Sequence, residues 1–228
     1  MGAPDKVKSA VDDAIALVKP RFRGVTHMWA FFVSIVVGLL LVAFAPTGEA
    51  RLACAVYAIS VSGLFGTSAL YHRINWSPRA RRWMRRLDHA MIFVLIAGTY
   101  TPFALLALDG SFSTIVLLGV WGGAIGGIVL QLVWIDAPKW LSAVVYIALG
   151  WFAIVAAPEF IAQVNPVALL LVALGGVLYT VGAVIYATRR PDPVPAVFGY
   201  HEVFHALTIA AALAQLAAIV FFVLPAEG

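Results

Sequence analysis

Two histidines four residues apart, His201 and His205, open the last long apolar segment of the chain. If that segment is helical, their imidazoles lie one above the other on a single face of the helix. Burying two imidazoles in a bilayer is unfavourable unless they share a partner, and imidazole is a common ligand for transition metals. The spacing therefore predicts that the two side chains hold a metal ion.

Two other segments carry polar residues that could complete such a site. Ser68 and His72 lie one helical turn apart at the end of one apolar segment, and Asp88 opens the next. Three imidazoles and a carboxylate are a familiar zinc set, in which three nitrogens hold the ion and an oxygen or a water completes the tetrahedron. We therefore expect a zinc site formed by His72, His201, His205 and Asp88.

The elements that must position these residues are membrane-spanning helices. The 228-residue chain is 63% hydrophobic and 11% charged, whereas a soluble domain carries about 25% charged residues. The composition shows no boundary between domains, and seven apolar segments are each close to the ~20 residues that cross the hydrocarbon core. We place these segments at 25–45, 51–72, 88–108, 112–134, 140–158, 166–187 and 200–224.

The predicted fold is therefore an all-α polytopic membrane protein with seven transmembrane helices. Residues 25–228 form the transmembrane domain, and residues 1–24 form a cytoplasmic N-terminal segment. An apolar stripe over residues 5–19 predicts that this segment is an amphipathic helix lying on the membrane surface, and the alternative is a disordered tail.

Basic residues orient the predicted spans. With seven spans, every Lys and Arg except Arg51 falls on one side of the membrane. Since basic residues concentrate in cytoplasmic loops, the N-terminus is expected inside and the C-terminus outside. Charges spread over short loops in this way also argue against nucleic acid as a partner. The orientation brings the polar residues of three segments to one cytoplasmic level: Ser68, His72, Asp88, His201 and His205.

Residues 201–205 also match the H-E-x-x-H pattern of soluble zinc proteases, in which the glutamate is the general base. An intramembrane metalloprotease would add an aspartate from a later helix, and this chain does contain Asp109 in the sequence Leu108-Asp109-Gly110. Asp109 is expected about 31 Å beyond Asp88 along the same helix, at the opposite membrane face. Glu202 points about 100° away from His201 on a helical wheel, so we expect it to cap the helix or to face a loop. The protease interpretation is disfavoured.

Other features predict packing and not chemistry. No spacing ties His27 or His89 to the histidine pair, so we expect both to lie at the membrane interface. The G-x-x-x-G repeat at Gly119, Gly123 and Gly127 predicts close approach of a neighbouring helix. Pro102 is expected to kink the third span.

In combination, the Ser68-x-x-x-His72, Asp88 and His201-x-x-x-His205 motifs resemble those of the hemolysin III family. They are similar, more distantly, to those of the progestin and adipoQ receptors, which include the adiponectin receptors. The similarity runs from about Arg21 to Leu224, and residues 87–89 (LDH) and 97–103 (AGTYTPF) look especially like hemolysin III. The resemblance implies a zinc ion held by His72, His201 and His205, with Asp88 reached directly or through water. It also implies a multi-pass protein of the cell membrane with its N-terminus inside.

The wider group that these proteins resemble includes alkaline ceramidases and other metal-dependent membrane hydrolases. Zinc on three histidines can activate water near neutral pH, with Asp88 as general base and Ser68 holding the water or an oxyanion. The first hypothesis is therefore a zinc-dependent hydrolase of an amide or ester bond in a membrane lipid. The alternative is a non-enzymatic receptor, regulator or pore former with a structural zinc. An open, water-bearing metal position beside a lipid-sized cavity would favour the enzyme.

Overall fold

Apolar helices make up the whole architecture. The computed structural model describes residues 20–134, 136–154 and 157–227, so the predicted amphipathic helix at 5–19 lies outside the described residues. The helices are α1 (Val25–Phe44), α2 (Gly48–Arg73), α3 (Pro78–Leu106), α4 (Gly110–Val133), α5 (Lys139–Gly150), α6 (Ala157–Gln163), α7 (Pro166–Thr188) and α8 (Tyr200–Ala218). Beyond α8 the chain stays helical, as a π-helical turn at Ile219–Val223 and a 3₁₀ turn at Leu224–Glu227.

Six of these helices, all except α5 and α6, are long and apolar enough to cross a membrane. The expected class, an all-α multi-pass membrane protein, is confirmed for the described residues. Neighbouring helices pack in the order α1, α2, α3, α4, and α5 packs on α7 and α7 on α8. Because α8 also contacts α1, the helices surround a common interior.

Short capping sequences fix where several helices begin. The side chains of Thr47, Ser77 and Asn165 accept hydrogen bonds from backbone N–H groups of the following first turn, at 3.1, 3.4 and 2.9 Å. Pro78 follows Ser77 at a position where its missing N–H is not needed. Helix α3 therefore starts ten residues before the predicted third span, and Asp88 lies within it and not at its start.

The predicted fifth span, 140–158, is not one continuous helix. Helix α5 ends at Gly150, a 3₁₀ turn covers Phe152–Ile154, and α6 begins at Ala157. Pro158 accounts for part of this break, because proline lacks an N–H and clashes with the preceding turn of a continuing helix. The Gly150 carbonyl that the break frees accepts a 2.7 Å hydrogen bond from the Tyr100 hydroxyl. A freed carbonyl in an apolar surrounding needs such a partner.

Large side chains, and not the backbone of a neighbouring helix, pack against the glycines of the α4 repeat. A Cβ added at Gly127 would lie 2.2 Å from the Phe93 ring, and one at Gly119 would lie 2.4 Å from the Phe152 ring. Gly123 is filled in the same way by Leu149, at 2.6 Å. The prediction of close packing holds, but the partners are side chains of α3, α5 and the 3₁₀ turn.

Candidate metal centre

Three buried histidines meet at one end of the helix bundle. His72 lies in the last turn of α2, and His201 and His205 occupy successive turns at the start of α8. The Nε2 atoms of His72 and His201 are 3.1 Å apart. One ring nitrogen from each of the three histidines lies within 4.8 Å of the other two. The structure thus brings together the three imidazoles that the sequence placed at one level.

The spacing and chemistry of these nitrogens suit a metal ion. Two nitrogens bound at 2.0–2.1 Å to a tetrahedral ion are about 3.3–3.4 Å apart. The ring nitrogens of the three histidines are separated by comparable distances, from 3.1 Å between His72 and His201 to at most 4.8 Å. The Nδ1 atom of His205 is buried without a hydrogen-bond partner in the described part of the chain. Buried polar atoms normally have partners. The three histidines could therefore hold a metal ion.

Asp88 and Ser68 lie beside the three histidines. The Oδ2 atom of Asp88 is 3.9 Å from Nε2 of His72, too far for a direct hydrogen bond but suited to an intervening water or ion. Ser68 is buried one turn before His72, on the same face of α2. Asp88 and Ser68 both line the same cavity as His201 and His205.

The expectation that His27 lies exposed at the membrane interface is wrong, because the residue is buried among the other histidines. Its side chain is only 2% exposed, and its ring stacks on that of His205 with centroids 3.7 Å apart and planes 12° from parallel. Its position in the first turn of α1, at the same end of the bundle as the other histidines, was the available signal. His89 is half-buried, with its ring 6.3 Å from that of Tyr186, and it also lines the cavity.

Gly24, which has a left-handed backbone conformation, places the start of α1 next to His72. Gly24 has φ +75°, and a Cβ built there would lie 2.6 Å from the Cβ of His72. Only glycine avoids both the strain of this backbone and the clash. The tight turn thus lets α1 begin beside His72 with His27 directed into the site.

Glu202 caps α8 as expected, and it has a partner that the sequence did not reveal. Its buried carboxylate accepts a 2.9 Å hydrogen bond from the Gly199 N–H and forms an ion pair with Arg23. These contacts tie the start of α8 to the segment before α1. Asp109 lies at the opposite end of the bundle, where its N–H donates to Gln163. The geometry therefore gives the protease interpretation no support.

An apolar cavity of about 330 Å³ extends from the histidines into the bundle. At one end it is lined by Asp88, His201 and His205, and at the other it reaches Phe160 and Ile161 of α6. Most of the wall between them is aliphatic or aromatic, including Ile92, Ile96, Phe103, Ile147 and Val172. Its volume is within the range of small-molecule sites.

Fold and site together define a multi-pass helical membrane protein with a three-histidine centre at one end of an apolar cavity. Residues 15–216 match the family described as Haemolysin-III related, and the chain belongs to this family. It is 31% identical over 203 residues to a Hemolysin-3 homolog of Bacillus subtilis (strain 168), covering 88% of this chain and 92% of that protein. It is also 31% identical over 206 residues to Hemolysin-3 of Bacillus cereus, covering 89% and 91%. The human monocyte to macrophage differentiation factor is 22% identical over 200 residues, covering 85% and 80%.

Proposed function

We propose that this protein is a zinc-dependent hydrolase of an amide or ester bond in a membrane lipid. The observation that supports this best is that Asp88, His201 and His205 line one end of a single apolar cavity, with His72 grouped with the other two histidines. A structural metal site needs no such cavity, whereas a lipid substrate needs room for a chain beside the reacting bond.

Zinc is the metal that we propose for this site. Imidazole nitrogens suit zinc, while magnesium and calcium prefer oxygen ligands. His72, His201 and His205 would hold the ion, with Asp88 close enough to contact it through a water. When bound, zinc supplies Lewis-acid activation of water and polarises a carbonyl group.

The protein's own residues supply the remaining functions. Asp88 is placed to accept the proton that an attacking water gives up, and to return it to the leaving amine or alcohol. Ser68 lines the cavity beside Asp88 and can donate its one hydroxyl proton to the attacking water or to a developing oxyanion. The apolar wall of the cavity holds the lipid chain and excludes bulk water from the reacting bond.

We also propose that the chain crosses the cell membrane seven times, with its N-terminus inside and the site at the cytoplasmic face. The broken segment 139–163 would supply the seventh crossing. Its first part contacts the histidine end, where Gln131 Nε2 donates to the Ser142 hydroxyl at 3.0 Å. Its last residue, Gln163, accepts from the Asp109 N–H at 2.9 Å at the opposite end. Reporters inserted after Pro78 and after Gly228 should read cytoplasmic and external, and two readings on the same side would exclude this topology.

A second function is supported by one observation. His72 lies on α2, and His201 and His205 lie on α8. A metal ion held by all three could therefore be purely structural, linking the two helices in a receptor, regulator or pore former.

The experiment that separates the two functions is hydrolysis of short-chain ceramides and related lipid amides and esters by the purified protein. We expect turnover that stops when a chelator removes zinc and returns when zinc is restored. No turnover across the panel by zinc-loaded protein would favour the structural metal.

A further inference from the structure

Two polar side chains face the cavity far from the histidines. Tyr179 of α7 and Gln215 of α8 both line the cavity, and Gln215 is only 6% exposed. The Tyr179 hydroxyl and the Gln215 Oε1 atom are buried and have no hydrogen-bond partner among the described residues. Unpaired buried polar groups are unfavourable, most of all in an apolar surrounding. Two such unpaired groups on one cavity wall indicate that this part of the cavity binds a polar group of a ligand.

The two side chains converge on the same part of the wall. The Gln215 side chain lies over Gly175 of α7, where an added Cβ would be 2.7 Å from Gln215 Nε2. Gly175 is one turn before Tyr179, so it lies on the same face of α7. Tyrosine and glutamine side chains on a helix lean toward its N-terminus. Since α7 and α8 run in opposite directions, the two polar ends lean toward a common level.

Their distance from the histidines is set by helix geometry. Gln215 follows His205 by ten residues, which corresponds to about 15 Å along α8. Tyr179 precedes Tyr186 by seven residues, or about 10 Å along α7, and the Tyr186 ring lies 5.6 Å from that of His201. The polar pair is therefore about 10–15 Å from the metal centre. An extended chain advances about 1.2 Å per bond, so this distance spans about eight to twelve bonds.

We propose that Tyr179 and Gln215 form a second polar subsite, which binds a lipid chain carrying a hydroxyl group about eight to twelve carbons from its head. A hydroxyl accepts from the Tyr179 O–H and donates to the Gln215 amide oxygen, so one group satisfies both. The neighbouring Tyr57 hydroxyl already donates to the Ala212 carbonyl at 3.0 Å. An unsubstituted chain leaves both subsite groups unpaired and is therefore disfavoured.

This subsite rests on the proposed function only in placing the lipid head at the histidines. It is tested by binding without turnover, with 12-hydroxystearate, stearate and 2-hydroxystearate as probes. Each acid competes with a fluorescent fatty acid for the zinc-loaded, full-length protein in lipid nanodiscs. We expect 12-hydroxystearate to bind about tenfold more tightly than the other two acids, as befits one or two hydrogen bonds.

Two variants remove one hydrogen-bonding group each and keep side-chain size. Tyr179→Phe and Gln215→Leu should each bring the affinity ratio of 12-hydroxystearate to stearate close to one, without weakening stearate binding. Thr208→Val is the matched control, because the Thr208 hydroxyl is already bonded to the Phe204 carbonyl at 3.0 Å. It should keep the preference. Zinc content and melting temperature show that each variant is folded.

Three outcomes would overturn the subsite: equal binding of 12-hydroxystearate and stearate by the unaltered protein, a preference that survives in both variants, or no binding of any of the acids. Absence of hydrolysis, in contrast, would count against the proposed function and leave the binding preference unchanged. The two failures are thus distinguishable.

Discussion

The Nε2 atoms of His72 and His201 lie 3.1 Å apart, although 129 positions separate the two residues along the chain. One closes α2 and the other opens α8, so the fold has to hold the ends of two helices in register to bring them together. Two imidazoles can share at most one proton between these nitrogens. A metal ion would instead satisfy both nitrogens and that of His205.

The first prediction concerns the ligands. The purified protein should carry about one zinc per chain, and His201→Ala or His205→Ala should weaken zinc binding by more than about 100-fold, since even residues that only support ligands contribute 10–100-fold. His89→Ala is the control, because His89 lines the cavity but is not one of the three clustered histidines. Its zinc content should match that of the unaltered protein. Full occupancy in the His201→Ala/His205→Ala double variant would exclude this ligand set.

The second prediction concerns His27, whose ring stacks on His205. We expect the stack to hold the His205 ring in the orientation that binds the metal. His27→Ala should therefore lower zinc affinity by about tenfold, whereas His27→Phe keeps a flat ring and should restore most of it. Chelator competition measures affinity, and the visible spectrum of the cobalt-substituted protein reports ligand geometry. If His27→Ala and the unaltered protein give the same affinity and spectrum, His27 does not position His205.

The third prediction compares two glycines with left-handed backbones. Gly24 has φ +75° and lies against His72, whereas Gly110 has φ +62° and open space where a Cβ would be. Alanine at either position costs about 1–2 kcal/mol of backbone strain, but at Gly24 it also displaces His72. Gly24→Ala should therefore lower both the melting temperature and the zinc affinity. Gly110→Ala should lower only the melting temperature. Equal effects of the two variants on zinc affinity would contradict the proposed contact.

The sequence predicted much of the fold and the proximity of His72, His201 and His205. Apolar segments near the length of a membrane crossing and the four-residue spacing of His201 and His205 are local patterns, and the structure keeps both. The sequence also placed Asp88 and Ser68 at the level of the histidines, and both line the same cavity as His201 and His205.

What the sequence did not reveal depends on contacts between distant helices. His27 has no partner at a helical spacing, and only the turn at Gly24 brings its ring onto His205. The ion pair of Arg23 with Glu202 joins residues from opposite ends of the chain. The break after Gly150 was missed because hydropathy does not change there. Pro158 is a local signal of the break, but it lies eight residues further on.

The most direct test of the account is turnover by Asp88→Asn at equal zinc occupancy. The amide keeps the size of the side chain but cannot accept a proton, and a general base contributes about 10²–10⁴-fold. Glu202→Gln is the matched control, because it makes the same chemical change in a carboxylate that pairs with Arg23 and does not line the cavity. With a short-chain ceramide or whichever lipid amide or ester is turned over fastest, Asp88→Asn should lose at least about 100-fold in kcat and Glu202→Gln should retain activity per bound zinc. Equal turnover by Asp88→Asn and the unaltered protein would contradict the account.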